Sequence, residues 1–298
     1  LSRNLDVLLV NHKILLIGSS GMLGSEVFSK LNSMFAVVPT SFNNSVRDSL
    51  FLDFTNFNSL LNIVNEYNPS IVINCSAFTD VDKCEKNKLI ARSINVNGLK
   101  NIIKAVNKNT KIIHISSDYV FDGKKGSYSE DDITHPINYY GKTKLEAENI
   151  LIGSNKPYVI IRTNVLYGYN FSYNNFLKWV ISSLSDNKSI SVVSDQISNP
   201  TYIPELVNAI FSSIILDYRG LLHIGSKDAI SRYEFSKKIS KVFKLNSNLI
   251  IKTNSSNIQQ AAIRPLNSNL EIDKIQDVLD LKLADTEYYI NKIYTKNY

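Results

Sequence analysis

The 298-residue chain lacks most of the features that would assign it at a glance. It has two cysteines, Cys75 and Cys84, and four histidines scattered at His12, His114, His135 and His223. Neither set has zinc-ligand spacing, and two thiols cannot staple a domain of this length. A disulfide scaffold and a metal finger are excluded, no metal is assigned, and a reducing cytoplasm is expected. Long apolar runs are missing too. The stretches 14–17 and 71–73 are strand-sized, whereas a membrane span needs about 20 residues. Residues 1–10 contain an apolar patch without a basic n-region, a full h-region or a small-residue cleavage site, so they read as a ragged leader rather than a signal peptide. The net charge of +6, from 33 basic and 27 acidic residues, is scattered. No Lys/Arg stripe interleaves with aromatics, which argues against nucleic-acid binding, while a modest positive field suits an anionic small molecule. There is no internal repeat and no low-complexity linker.

What is present is the composition of an ordinary globular enzyme, 44% apolar and 20% charged, long enough for a sizeable core. Strand-like runs at 13–18, 35–38, 71–75, 111–116 and 158–162 alternate with helical stretches at 23–31, 60–67, 91–107 and 140–151. On the third of these helices Ile94, Leu99, Ile102, Ile103 and Val106 share one broad face. Strands recurring with helices between them predict βαβ units, hence an α/β fold with a doubly wound, Rossmann-type parallel sheet. Beyond residue 162 the alternation weakens. Helices are expected at 176–184, 205–216 and 232–243, with a returning strand at 221–224. Residues 13–163, with returning segments near 203–224, form the expected dinucleotide-binding domain. Residues 164–202 and 225–298 form a smaller, mainly helical substrate lobe.

The first strand runs directly into Gly18-Ser-Ser-Gly21-Met-Leu-Gly24, which opens the first helix. Small residues let the backbone turn tightly against a pyrophosphate, whose charge is met by the exposed N–H groups of a helix start. Gly18, Ser20, Gly21, Met22, Leu23 and Gly24 are therefore candidate cofactor contacts, although the spacing is G-x-x-G-x-x-G rather than G-x-G-x-x-G. The second strand should lead to a carboxylate if the 2′-hydroxyl of NAD were required. Residues 39–47 have none, and Arg47 tolerates a 2′-phosphate, so NADPH is favoured with NADH left open. Arg47 reads equally as a solvated loop residue. Asp53 reads either as a receiver of the adenine amino group or as the N-cap of the next helix.

Tyr140-Gly-Lys-Thr-Lys144 sets a phenol and an amine one helical turn apart. The spacing recurs at Tyr233/Lys237 and Tyr288/Lys292, and with 16 tyrosines about one or two such pairs arise by accident. Context favours the first pair. It opens the helix that follows the strand ending in Ser116-Ser117-Asp118-Tyr119, and ligands bind at the carboxyl ends of parallel strands. The other two pairs follow no comparable strand and read as solvated helix faces.

In this order of parts the chain resembles the extended short-chain dehydrogenase/reductase superfamily, and within it the dTDP-4-dehydrorhamnose reductase family. The likeness runs through Gly18–Gly24, Asn74-Cys-Ser-Ala-Phe-Thr-Asp-Val-Asp-Lys83, Ser116-Ser-Asp-Tyr-Val-Phe-Asp-Gly123, Tyr140–Lys144 and Arg162-Thr163. It continues through Asn174-Asn-Phe176, Asp195-Gln196, Asn199-Pro-Thr201 and Arg264-Pro-Leu-Asn-Ser268. The resemblance implies hydride delivery to a nucleotide-linked 4-keto sugar in surface polysaccharide synthesis, with Tyr140 as general acid. Lys144 would lower the pKa of Tyr140 and hold the nicotinamide ribose, and Ser117 would bond the carbonyl oxygen. It further implies cofactor contacts from Phe54, Cys75, Ser76, Ala77 and Ser116. Asn95 would support the lysine through water, or else be a helix-surface amide. Substrate contacts are implied for Thr79, Val81, Asp118, Tyr119, Val165, Asn175, Gln196 and Arg264.

Tyr119 stands where 4,6-dehydratases of similar scaffold carry Glu, which argues for reduction rather than dehydration. Val165 stands where the family has a sugar-stacking Trp, which leaves the sugar open; Tyr167, Tyr169 and Trp179 are aromatic substitutes or core. Some bacterial members form dimers around a metal held by three carboxylates. Glu26 and Glu205 match two of these, Lys296 lies near the third, and a homodimer stays open. Two rival readings remain, a non-catalytic NADP-binding regulatory subunit and a nucleotide-sugar epimerase.

Overall fold

A computed structural model describes residues 12–42, 49–170 and 172–297. The ragged leader at 1–10 and Arg47 lie outside the described residues. The chain runs β1 (Lys13–Ile17), α1 (Met22–Leu31), β2 (Ala36–Ser41), β3 (Leu50–Phe51), α2 (Phe57–Tyr67), β4 (Ile71–Asn74) and α3 (Val81–Lys86). Next come α4 (Lys88–Arg92), a π-helical turn (Ser93–Asn97), α5 (Gly98–Ala105) and β5 (Lys111–Ser117). A 3-10 turn (Asp118–Val120) leads to α6 (Tyr139–Ile152) and β6 (Tyr158–Thr163).

These strands form a seven-stranded sheet in the order β11-β6-β5-β4-β1-β2-β3, all pairs parallel, with β11 being Gly220–His223. The order reverses direction between β1 and β4. At such a switch point the helices on either side diverge and leave a crevice above the strand ends. Alternation along the strands explains why helices cover both faces. Ile14, Leu16, Ile71, Ile73 and Ile113 pack on one side with Val27, Leu31, Leu206 and Ile210. Leu15, Ile17, Val72 and Ile112 pack on the other with Leu60, Val64, Leu99 and Ile102.

After β6 come β7 (Leu166–Tyr167), α7 (Phe176–Ser185), β8 (Ile190–Val193), β9 (Ile197–Ser198), β10 (Thr201–Tyr202) and α8 (Ile203–Ile215). Past β11 lie β12 (Ile230–Ser231), α9 (Arg232–Val242), β13 (Ile250–Thr253), α10 (Asp273–Leu279) and α11 (Thr286–Asn297). Three two-stranded ladders, β7–β10, β9–β12 and β8–β13, are woven among these helices. Strands of two to four residues are too short to show a period, which is why the sequence suggested a mainly helical lobe there. A separate core of Tyr167, Leu177, Val180, Phe235, Ile239, Tyr289 and Ile290 stands beside the sheet. The helix expected at 91–107 begins earlier, at Lys88, and carries the π-turn; α3, α10 and α11 were not read from the sequence. Among the described residues no helix is long and apolar enough to cross a membrane.

Candidate active site

The glycine turn is built by hydrogen bonds that only a glycine backbone reaches comfortably. Gly18 takes φ +84°, and its N–H and that of Ser19 both donate to the carbonyl of Thr40, at 3.0 and 2.9 Å. A Cβ on Gly24 would lie 2.0 Å from the Gly18 oxygen, so α1 can approach the turn only with glycine there. Gly21 is the N-cap of α1, and no side chain caps its first N–H groups and no acid sits in its first turn. This is a cradle whose free donors suit a pyrophosphate. Asp53 accepts from the N–H and hydroxyl of Thr55, at 3.0 and 2.6 Å, while Asn56 caps α2. The N-cap reading of Asp53 is therefore corrected: its carboxylate holds a turn. Phe54 packs against Gly98, where a Cβ would come within 2.1 Å of its ring.

Above the carboxyl ends of β4, β5 and β6 opens a cleft of about 470 Å³. Gly21, Met22 and Leu23 line it on the sheet side, followed by Cys75, Ser76 and Ala77 and by Ser116 and Ser117. Thr79, Val81, Asp118, Tyr119, Val165 and Asn175 line it as well, with Tyr140 and Lys144 at its floor. Gln196 and Arg264 do not line it. Gln196 accepts the N–H of Arg232 on its carbonyl at 3.2 Å, and Arg264 is ion-paired with Asp82. That pairing holds the Asp82 carboxyl down at about 2.

Tyr140 and Ser117 meet because α6 begins almost in contact with the turn after β5. Asn138 caps α6 by accepting from Gly141 N–H at 2.8 Å. A Cβ on Gly141 would sit 2.0 Å from the Tyr119 oxygen. The Ser117 hydroxyl donates to Asp118 Oδ1 at 3.0 Å and meets the Tyr140 phenol. The rings of Tyr119 and Tyr140 contact edge to face at 5.9 Å.

Lys144 is 1% exposed. Its ammonium donates to the Ile115 carbonyl at 2.6 Å and lies 3.3 Å from Nε2 of His114. His114 in turn faces the Asn74 amide at 3.3 Å. Burial pulls Lys144 down to about 8, with Glu148 opposing the shift. The phenol of Tyr140 moves opposite to the direction expected from the sequence. Burial raises it above the ordinary tyrosine value, against the lowering hydrogen bond of the Ser117 hydroxyl, and Asp118 adds to the rise, while Lys144 is turned toward β5. Burial also raises Asp118, to about 6, although Ser268 and Ser117 bond it. Asn95 is buried in the π-turn, so the helix-surface reading is corrected. Its amide bonds both backbone polar groups of Phe78 and the Thr143 hydroxyl, tying α6 to the segment after β4.

The sequence reading gave no site role to His114, Asn74, Asn164, Asn174 or Arg232, although Asn164, Asn174 and Arg232 line the cleft. His114 and Asn74 carried a faint signal, polar residues inside otherwise apolar strands. Arg232 carried only its place after Ser231, whose side chain with that of Glu234 forms a capping box.

The sequence model of the RmlD substrate binding domain matches residues 12–298. The dTDP-4-dehydrorhamnose reductase of Aggregatibacter actinomycetemcomitans is 31% identical, covering 94% of this chain and 98% of that one. The methionine adenosyltransferase 2 subunit beta of Bos taurus is 27% identical over 91% of this chain and 84% of its own. Among solved structures, the dTDP-4-dehydrorhamnose reductase of Bacillus anthracis in complex with NADP superposes with a TM-score of 0.88. It is 30% identical and covers 96% of this chain and 99% of that one.

Proposed function

The chain belongs to the RmlD substrate-binding domain family, and on that premise we propose that it is an NADPH-dependent reductase of a nucleotide-linked 4-keto-6-deoxy sugar. The substrate class is the one named in its relatives, dTDP-4-dehydrorhamnose, and the cofactor is NADPH, in line with the NADP-bound relative, with NADH left open. One observation carries the reading: Tyr140, Ser117 and Lys144 converge in a single cleft beside the glycine cradle. The fit of a dinucleotide rests on that cradle, where a Cβ at Gly24 would close the turn.

The reduced nicotinamide, when bound, supplies the hydride. The residues of this chain manage the negative charge that then develops on the carbonyl oxygen. Ser117 lines the cleft, and its single proton, held on Asp118 Oδ1 at 3.0 Å, can turn to that oxygen and stabilise the charge as it forms. Tyr140 is kept protonated by burial, the state in which a phenol donates a proton. Lys144, Ser116 and residues 75–77 orient the cofactor, while Thr79, Val81, Asp118, Tyr119, Val165 and Asn175 face the sugar. Residues 13–163 with the returning segments near 203–224 act as the dinucleotide-binding domain, and the remaining residues supply the substrate wall. A cytoplasmic setting suits a nucleotide-sugar reductase.

The test is NADPH consumption on a panel of freshly generated dTDP-, GDP- and UDP-linked 4-keto sugars. Turnover with one of them that falls about 10²- to 10⁴-fold in Tyr140→Phe supports the reading. One relative is named as a subunit of another enzyme, methionine adenosyltransferase 2, so the rival carried alongside is a non-catalytic NADP-binding regulatory subunit. Tight NADPH binding without turnover on any sugar would establish that rival, and product without net cofactor oxidation would establish an epimerase.

A further inference from the structure

We propose that Arg232 is the anchor for the diphosphate of the substrate, setting the requirement for a nucleoside diphosphate rather than a monophosphate. The proposal rests on the nucleotide-sugar reading above and names a contact within that same cleft.

Two guanidiniums face the Tyr119 hydroxyl, those of Arg264 and Arg232. Arg264 is neutralised by Asp82, donates to the Ala262 carbonyl and stands outside the cleft lining. Arg232 lines the cleft with Asn174, Asn175 and Tyr140. Among the described residues it has no carboxylate within ion-pair distance, Asp118 acting on it only from farther away.

Its placement is costly for a cation. Arg232 is the first residue of α9, whose N-terminus carries positive partial charge of its own. Burial pulls the guanidinium below the ordinary arginine value, an effect that Tyr119 and Asp118 only partly offset. A half-buried cation with no carboxylate partner, beside a like-signed helix end, calls for an anion.

The backbone at Arg232 is rigidly held. Its N–H donates to Gln196 at 3.2 Å, Ser231 pairs with Ile197 across β9–β12, and Ser231 and Glu234 cap the helix reciprocally. The guanidinium lies over the Phe176 ring, 5.6 Å from its centroid. Such fixing favours the paired donors that a planar guanidinium offers to phosphate oxygens. The cofactor's own phosphates are assigned to the glycine cradle on the sheet side, so the anion that Arg232 meets belongs to the second ligand. In a nucleotide sugar that anion is the diphosphate bridging sugar and nucleoside.

The experiment measures binding to the full chain saturated with NADPH, by calorimetry, for the pairs dTDP/dTMP, UDP/UMP and GDP/GMP. The pair of highest affinity is carried forward. The diphosphate is expected to bind at least about 10-fold tighter than its monophosphate, the scale of one charge-assisted hydrogen-bond set. In Arg232→Gln this ratio should fall to near one, with NADPH affinity unchanged. Arg232→Lys keeps the charge beside Tyr119 and loses the paired donors, so it should fold and show a ratio several-fold below wild type. An unchanged ratio in either variant, or equal weakening of diphosphate and monophosphate, overturns the proposal, as does wild-type protein that does not distinguish them. A ratio that depends on Arg232 without turnover on any keto sugar would sink the reductase reading and leave this one standing. Turnover with a ratio indifferent to Arg232 would do the reverse.

Discussion

The Lys144 ammonium lies 3.3 Å from Nε2 of His114, and both side chains are buried beneath the cleft. The lysine is thus moored to β5, by this imidazole and by the Ile115 carbonyl at 2.6 Å, rather than to the phenol one helical turn away. Burial and the neighbouring lysine hold His114 well below the ordinary histidine value, so the ring is neutral and adds no second charge. The Tyr140/Lys144 spacing therefore describes two groups with separate surroundings that share one helix face.

Lys144 gives the first pH prediction. Its folded value of about 8 lies below the ordinary 10.5, so the unfolded chain binds more protons between those limits. Its contribution to stability should consequently rise from pH 8 to pH 10.5. Comparing thermal midpoints of the wild type and Lys144→Met across this range isolates the effect. An identical pH slope in the two proteins would count against it.

Asp118 has the opposite sign. Its carboxyl is raised by burial to about 6 from the ordinary 3.8, so the folded state holds the extra proton in that window. Its contribution to stability should fall as pH climbs from about 4 to 6. In Asp118→Asn that part of the slope should vanish, read from urea midpoints at pH 4 and pH 7. A variant that keeps the full slope assigns the titration elsewhere.

Glu148 on α6 joins Arg162 on β6 through three side-chain bonds of 2.7 to 3.2 Å and also accepts the Ser116 hydroxyl. Removing one partner of a buried pair strands the other charge. Glu148→Ala should cost about 3–5 kcal/mol in urea unfolding, with activity falling as α6 loosens from β5. A loss below about 1 kcal/mol would show that water enters and screens the arginine.

The glycine turn makes a paired prediction. Gly24→Ala places a methyl 2.0 Å from backbone, whereas at Gly21 the nearest atom is 3.4 Å away. Gly24→Ala should lower the thermal midpoint and weaken NADPH binding more than about 10-fold. Gly21→Ala should keep the midpoint and lose only affinity, because its methyl makes only ordinary van der Waals contact, at a residue that lines the cleft proposed to hold the cofactor. Equal midpoints for both variants would refute the packing argument.

Much of the fold was legible because its signals are local and repeated. The five apolar runs of the first half became β1, β2, β4, β5 and β6 within a few residues, and the glycine turn sits between β1 and α1 as its spacing implied. The ladders of the second lobe were illegible, since two-residue strands such as β7 and β10 exist only through their partners. The family likeness named many of the cleft-lining residues but not Asn164 or Arg232; Arg264, which it also named, pairs with Asp82 and faces the Tyr119 hydroxyl from outside the lining.

The sequence by itself determined the Tyr140/Lys144 spacing, the serine-ended strand before it and the glycine turn, because each is a matter of neighbouring residues along one chain. Tertiary structure decided what those groups feel. Burial raises the phenol and lowers the amine, His114 takes the place at Lys144 that proximity in sequence had suggested for Tyr140, and Arg232 reaches the cleft from a helix that begins 88 residues beyond Lys144. Desolvation and long-range contact are properties of the packed molecule, and no spacing of letters encodes them directly.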